Sequence, residues 1–154
     1  MRSKSGSPDI QRELGYLVGS LASAMRTGLN RELASLNISS AQWAILDACH
    51  EGEADTLTSL ARVIPLDSAS ISRNVERLVR VGLVHRSRST QDRRLVRLSL
   101  TDAGNRLMPE LAQRVQANNA MFLAGITKRE QEAMRRTIQR MLESAQAAVY
   151  ERDS

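Results

Sequence analysis

The stretch that decides the fold begins Asp67-Ser68-Ala69-Ser70-Ile71-Ser72-Arg73-Asn74-Val75-Glu76-Arg77-Leu78. It passes a stop at Gly82 and ends in two strand-like runs around Thr90-Gln91-Asp92-Arg93-Arg94. Asp67 is a natural N-cap, because its carboxylate can accept the unpaired N–H groups of a first helical turn. Ile71, Val75, Leu78 and Val79 recur at helical spacing and predict a buried face. The other face offers Ser68, Ser70, Ser72, Arg73 and Arg77. Gly82 suits the left-handed position just past a helix end. In the run Leu95 to Leu100, Val96, Leu98 and Leu100 alternate with Leu95, Arg97 and Ser99, the period of a strand. Its partner is Leu83 to Ser89. A helix with a polar leading face, followed by a hairpin with an arginine-rich tip, is the plan of a winged helix-turn-helix.

The flanking sequence predicts more helices. Residues 1–7 are small and polar and are expected to be a disordered tail. From about Asp9 to Leu36, Leu14, Leu17, Val18, Leu21, Met25, Leu29, Leu33 and Leu36 share one face. Such a helix would be about 40 Å long, more than one small core can cover. Gly15, Gly19 and Gly28 lie inside it and permit close approach. Ser39-Ser40-Ala41-Gln42 is a capping box opening a helix with Trp43, Ile45, Leu46, Cys49 and His50. Thr56 caps a short helix through Leu60, Ala61 and Val63, which Pro65 ends. Thr101 caps a long helix with Leu107, Leu111, Val115 and Phe122 on one face and Pro109 inside. Thr127-Lys128-Arg129-Glu130 opens a final helix through Met134, Ile138, Met141, Leu142, Ala145 and Val149.

The 154 residues are enough for a substantial core. Aromatic residues are only 3%, which argues against sandwiches, barrels and base-stacking RNA platforms. No apolar run approaches a membrane span, and Met1 to Pro8 lacks the apolar segment of a secretory signal. A lone cysteine excludes an internal disulfide and fits a reducing cytoplasm, so the expected localisation is cytoplasmic. The net charge is +5, and it is concentrated. From Arg62 to Arg97, nine arginines stand against Asp67, Glu76 and Asp92, a local +6, so the remainder is near −1. Only Lys4 and Lys128 are lysines. Arginine suits bidentate contacts to phosphate and guanine; genomic base composition can also favour it, but does not explain the clustering.

No catalytic constellation is present. Two histidines and one cysteine have no metal-ligand spacing, and no phosphate-binding loop or dinucleotide fingerprint occurs. The expectation is a non-enzyme with no cofactor and no metal.

The order of elements, together with Leu60-Ala61, Ser70-Ile71-Ser72-Arg73, Val75, Arg77-Leu78, Gly82-Leu83-Val84, Arg86, Asp92-Arg93-Arg94, Leu100-Thr101 and Gly104, resembles the MarR family of bacterial transcription regulators. The resemblance spans about residues 10–150. Ile64-Pro65 departs from it, where many members carry glycine in the turn. It implies a fold that is mainly α with a small β wing: a winged helix-turn-helix lobe at about 39–100, with long N- and C-terminal dimerisation helices at about 9–36 and 101–151. It also implies a homodimer on a pseudo-palindromic operator in double-stranded DNA, most often a repressor, released by a small-molecule effector or by cysteine oxidation. The alternative is an architectural or low-specificity DNA-binding protein with no ligand switch.

Within that reading, Ser68, Ser70 and Ser72 let the backbone approach the major groove, and Arg73 and Arg77 reach base edges or phosphates. Arg94 enters the minor groove, oriented by Asp92 as the family pattern implies, while Arg86, Arg88, Arg93 and Arg97 contact phosphates. Many members bind aromatic carboxylates between the dimer helices and the DNA-binding lobe. Tyr16, Met25, Trp43 and Arg12 are the candidates to line that crevice here, with Arg12 or Arg26 facing the carboxylate. Core packing is the competing role for Trp43 and Met25. Cys49 reads as a buried small hydrophobe, since the reactive cysteine of the peroxide-sensing branch lies near the start of the first helix and Asp9 to Val18 has none.

Overall fold

A computed structural model describes residues 10–88 and 95–150, with side chains over 13–88 and 95–145. The expected tail at residues 1–7 lies outside these residues. The elements in order are α1 (Ile10–Leu33), a 3-10 turn (Ala34–Leu36), α2 (Ser40–His50), α3 (Leu57–Val63), α4 (Ser68–Arg80), β1 (Val84–Arg88), β2 (Val96–Leu100), α5 (Asp102–Phe122) and α6 (Lys128–Tyr150). The chain divides into two compact units, the first ending at Asn118 and the second beginning at Asn119.

The first unit is built around α4. Ile71, Val75 and Leu78 are fully buried and meet Ile45 and Leu46 of α2, Leu60 of α3, Val84 and Leu98 of the wing, and Leu111 of α5 in one cluster. Each aliphatic side chain buried this way contributes on the order of 2 kcal/mol. The predicted caps are present. Ser39 and Gln42 form a reciprocal capping box at α2, and Thr56 caps α3 in a box that uses Ser59. Asp67 accepts from Ser70 N at 2.8 Å to cap α4. Ile64 leaves α3 in an extended conformation, as the following proline requires.

Two boundaries differ from expectation. The helix predicted to reach Leu36 stops at Leu33, and the chain tightens into a 3-10 turn closed by Asn37 in the left-handed region. This lets Leu33 and Ile38 both enter the core. The first strand begins at Val84 rather than Leu83, because Leu83 N–H is used to close α4, donating to Leu78 O at 3.0 Å.

β1 and β2 pair antiparallel, with Val84 opposite Leu100, Arg86 opposite Leu98 and Arg88 opposite Val96. Only the base of this wing is core: Val84 and Leu98 are buried, while Val96 at the far end is exposed. The outer edge of β2 is partly covered by the loop before α3, where Leu98 N donates to Asp55 O at 2.7 Å.

The exit from α4 is joined to the start of α5. Gly82, at φ +75°, ends α4 in a Schellman turn, with Gly82 N on Val79 O and Leu83 N on Leu78 O, both at 3.0 Å. Thr101 then binds both exposed carbonyls. Its hydroxyl donates to Gly82 O at 2.6 Å, and its N–H donates to Leu83 O at 3.0 Å. The same hydroxyl accepts from Gly104 N at 3.1 Å and so caps α5. Gly104 is required by space, since a Cβ there would lie 2.3 Å from Leu83 O.

In α5, Gly104, Met108, Leu111 and Asn118 are buried, and Pro109 is accommodated within the helix. Asn118 Nδ2 donates to Met25 O at 3.2 Å. In the second unit, Gly125 at φ +80° turns the chain, and Thr127 with Glu130 forms the predicted capping box of α6. Thr127's hydroxyl holds the Glu130 carboxyl below its usual range. Met134, Ile138, Met141 and Leu142 of α6 are exposed.

Gly104→Ala is expected to destabilise the chain by about 2 kcal/mol or more, because backbone must move rather than a side-chain end. The urea midpoint measures this, and an unchanged midpoint would show that the Leu83 carbonyl can move aside.

Candidate nucleic-acid interface

α4 presents one face to the core and the other to solvent, and its first turn is tied together by side chains. Ser70 Oγ donates to Asp67 Oδ2 at 2.6 Å and accepts from Arg73 Nη2 at 2.9 Å. Asn74 Nδ2 donates to Ser70 O at 2.9 Å. These bonds hold the Asp67 carboxyl below the usual carboxylate range, the Ser70 hydroxyl being the largest cause and its backbone N–H the next. Ser70 is therefore not a free donor facing outward, as its sequence position suggested. Ser68 is exposed and Ser72 half-buried beside Ile71. Arg73 and Arg77 are both exposed, one turn apart on the solvent side.

The wing divides its arginines between two faces. Arg86 and Arg88 lie on the Val84–Leu98 face and are exposed near its outer end. Arg97 lies on the opposite face. Expected among the phosphate contacts, it is instead ion-paired with Asp55, both side chains being nearly half exposed. Nothing in the sequence marked Asp55, 42 positions earlier, as its partner. Asp92, Arg93 and Arg94 lie outside the described residues.

Among the described residues, a crevice of about 520 Å³ lies where the end of α1, the start of α2 and the end of α4 meet, and Asn30, Gln42, Arg77 and Val81 help line it. It holds one cation and no carboxylate. Trp43 lines two smaller ones. One, of about 230 Å³, is shared with Asp47, His50, Glu51, Asn105 and Met108. The other, of about 210 Å³, includes Asp47, Glu53 and Pro65. Burial and the neighbouring charges of Glu51 and Glu53 raise the Asp47 carboxyl above its usual value. His50 Nδ1 lies 3.3 Å from Asn105 Oδ1. Neither Trp43 crevice includes Tyr16 or Met25. Tyr16 is 75% exposed on α1, Met25 is half-buried, and the Arg12 side chain lies outside the described residues. Among the described residues no group of three metal-ligating side chains occurs, and no helix is long and apolar enough to cross a membrane.

The sequence reading missed Asn118. It is 3% exposed, and its Oδ1 has no partner among the described residues. An asparagine at a core position of a helical stripe was the available signal.

A model of the MarR family matches residues 38–96, which is α2 through the first residue of β2. Over those residues the chain is similar to the MarR family. Wild-type MarR from E. coli has the same fold, with a TM-score of 0.72 and 26% identity over 84% of this chain and 96% of that one. A mutant MarR from E. coli complexed with operator DNA superposes with a TM-score of 0.79 at 25% identity, covering 90% and 99% of the two chains. CouR from Rhodococcus jostii RHA1, bound to p-coumaroyl-CoA, gives 0.77 at 25% identity, covering 88% and 95%. The chain shares the winged-helix fold of these MarR structures.

Cys49 sits on α2 behind this surface. Burial pushes its thiol up to about 11, and the charge of Asp55 adds to the effect. Against an ordinary value of 9.0, the native chain holds about a hundredth of the thiolate of a free cysteine at pH 8. Iodoacetamide at pH 8 should therefore label the native chain at least about a hundredfold more slowly than the urea-unfolded chain. The sign for stability follows. The unfolded thiol ionises near pH 9 and the folded one near 11, so Cys49 costs stability as pH rises between these values. Cys49→Ser should lose less stability than wild type on going from pH 8 to pH 10.5.

Proposed function

We propose that this chain is a dimeric, sequence-specific DNA-binding transcription regulator, a repressor released from its operator by a small-molecule ligand. The observation that carries the reading is α4: Ile71, Val75 and Leu78 are locked in the core while Arg73 and Arg77 face outward, within a MarR-family winged helix. Such a helix enters the major groove, where arginine can pair with guanine and phosphates fix the register. Ser68 and Ser72 sit where the backbone comes near the groove, and Arg86 and Arg88 flank it on the wing. In this reading Asp92, Arg93 and Arg94, which fall in the sequence between β1 and β2, serve the wing, and Arg94 enters a narrow minor groove.

Residues 39–100 are the DNA-binding lobe in this reading, and the helices over 9–36 and 101–151 pair two copies. Exposed apolar residues support it. Leu14, Leu17, Val18 and Leu21 on α1, and Met134, Ile138, Met141 and Leu142 on α6, are each 41–59% exposed. Two such helical stripes are more apolar surface than a monomer ordinarily leaves in water. Gly15 and Gly19 leave open space on α1 that suits a closely packed second copy.

Relatives bound to operator DNA and to p-coumaroyl-CoA support a DNA-binding function with a ligand switch. For an organic acid, the crevices at Trp43 carry a charge cost from Asp47 with Glu51 or Glu53. The crevice beside Arg77 carries none.

The reading is tested by fluorescence anisotropy on the chain's own upstream DNA against a scrambled duplex across a salt series. A specific regulator should prefer the native duplex by about 10³-fold or more. Equal, steeply salt-dependent binding to both would favour the low-specificity alternative. Arg94→Ala should weaken specific binding more than Arg97→Ala, whose guanidinium already has a partner in Asp55. The double substitution Leu17→Asp with Leu21→Asp should shift the sedimenting species from dimer to monomer without unfolding it, since both side chains are exposed in the single chain.

A further inference from the structure

The two outward arginines of α4 are not equivalent. Arg73 Nη2 rests on Ser70 Oγ at 2.9 Å, and Ser70 in turn donates to Asp67 Oδ2 at 2.6 Å. Arg77 makes no ion pair among the described residues. A serine hydroxyl has one proton and two lone pairs. Here the proton is committed to a carboxylate, which leaves the lone pairs for the guanidinium. The direction of the relay is thereby set: carboxylate, hydroxyl, guanidinium. Asp67 is itself fixed, because Oδ1 caps the helix by accepting from Ser70 N at 2.8 Å. Ser70 is fixed as well, through its backbone carbonyl bound by Asn74. Every member but Arg73 is held by a second bond.

We propose that Asp67 and Ser70 are positioning residues that hold Arg73 ready to read a base, and that Arg77 serves as the helix's phosphate contact. The proposal rests on the DNA-binding reading above and assigns roles within it.

Two physical consequences separate the arginines. A free arginine loses about 2 kcal/mol of rotamer freedom when it is fixed. Arg73 has given up part of that freedom before DNA arrives, and among the described residues one of its five N–H groups is used, so a bidentate edge remains for guanine O6 and N7. The charge of Asp67 offsets that of Arg73 toward distant phosphates, so the relay adds little to sequence-independent attraction. Among the described residues Arg77 has no ion pair and no such hydrogen-bonded support. It contributes a full charge to counterion release, which reads the backbone and not the sequence.

The test uses the full chain and the duplex it selects from a random pool, with a scrambled duplex as control. Ser70→Ala should lower affinity for the selected duplex about five- to tenfold while changing affinity for the scrambled duplex less than twofold. Its salt slope should stay unchanged. Reselection with this variant should relax one base-pair position in each half-site. Ser70→Thr keeps the hydroxyl and should restore discrimination. Asp67→Asn keeps a good cap and should also lose discrimination, while binding the scrambled duplex at least as well as wild type. Arg77→Ala should weaken both duplexes alike and reduce the salt slope by about one. Equal losses on both duplexes for Ser70→Ala, or no loss on either, would overturn the relay while wild type still discriminates. A wild-type chain that selects no sequence would overturn the DNA-reading function itself.

Discussion

The hydroxyl of Thr101 is the joint on which the arrangement depends. It donates to Gly82 O and accepts from Gly104 N, so one oxygen closes the end of α4 and opens α5. The Leu83 carbonyl lies against Gly104 with no space for a side chain between them. The consequence is mechanical. The end of α4, the base of the wing and the start of α5 meet at one rigid point. Val84 and Leu100 are paired directly beside it. Interior packing of this kind has few alternative arrangements, so a shift in α5 is transmitted to α4 and to the wing together.

Outside that joint, the protein places its arginines in three different electrostatic settings. Arg73 is held by a relay to Asp67, Arg97 is paired with Asp55 across the edge of the wing, and Arg77 stands beside an open crevice with no ion pair among the described residues. Net charge alone would have counted these as equal contributors. Their partners decide which is preorganised, which is occupied and which is available. The exposed pair of Arg97 and Asp55 stabilises the fold by at most about 1 kcal/mol. Its main effect is positional, since it ties the loop before α3 to β2 together with the Leu98–Asp55 backbone bond.

The apolar stripes of α1 and α6 are the other organising feature. The α1 stripe is continuous in sequence, but the structure uses it in two ways. Leu29 and Leu33 pack into the core of the first unit, while Leu14, Leu17 and Leu21 are exposed on the single chain. One periodic pattern therefore serves two surfaces, and the 3-10 turn after Leu33 marks where the internal one ends.

Much of this was legible in the sequence, because it depends on local chemistry. The caps at Ser39, Thr56, Asp67, Thr101 and Thr127, the stop at Gly82 and the buried face of α4 each follow from residue type at short spacing. The resemblance that named the winged helix rested on those same residues. What tertiary structure decided involves residues far apart in the chain. The pairing of Arg97 with Asp55, the burial of Asn118 against Met25 and the reason for Gly104 all depend on backbone brought together by folding. The candidate ligand residues show the same limit. Trp43, Tyr16 and Met25 share an apolar or aromatic character, but character does not place side chains around one cavity. The commitment of Ser70 to Asp67 and Arg73 was also hidden, although all three lie within seven residues. Spacing allows that bond, but a serine's single proton can point several ways, and only the side-chain geometry shows which way it went.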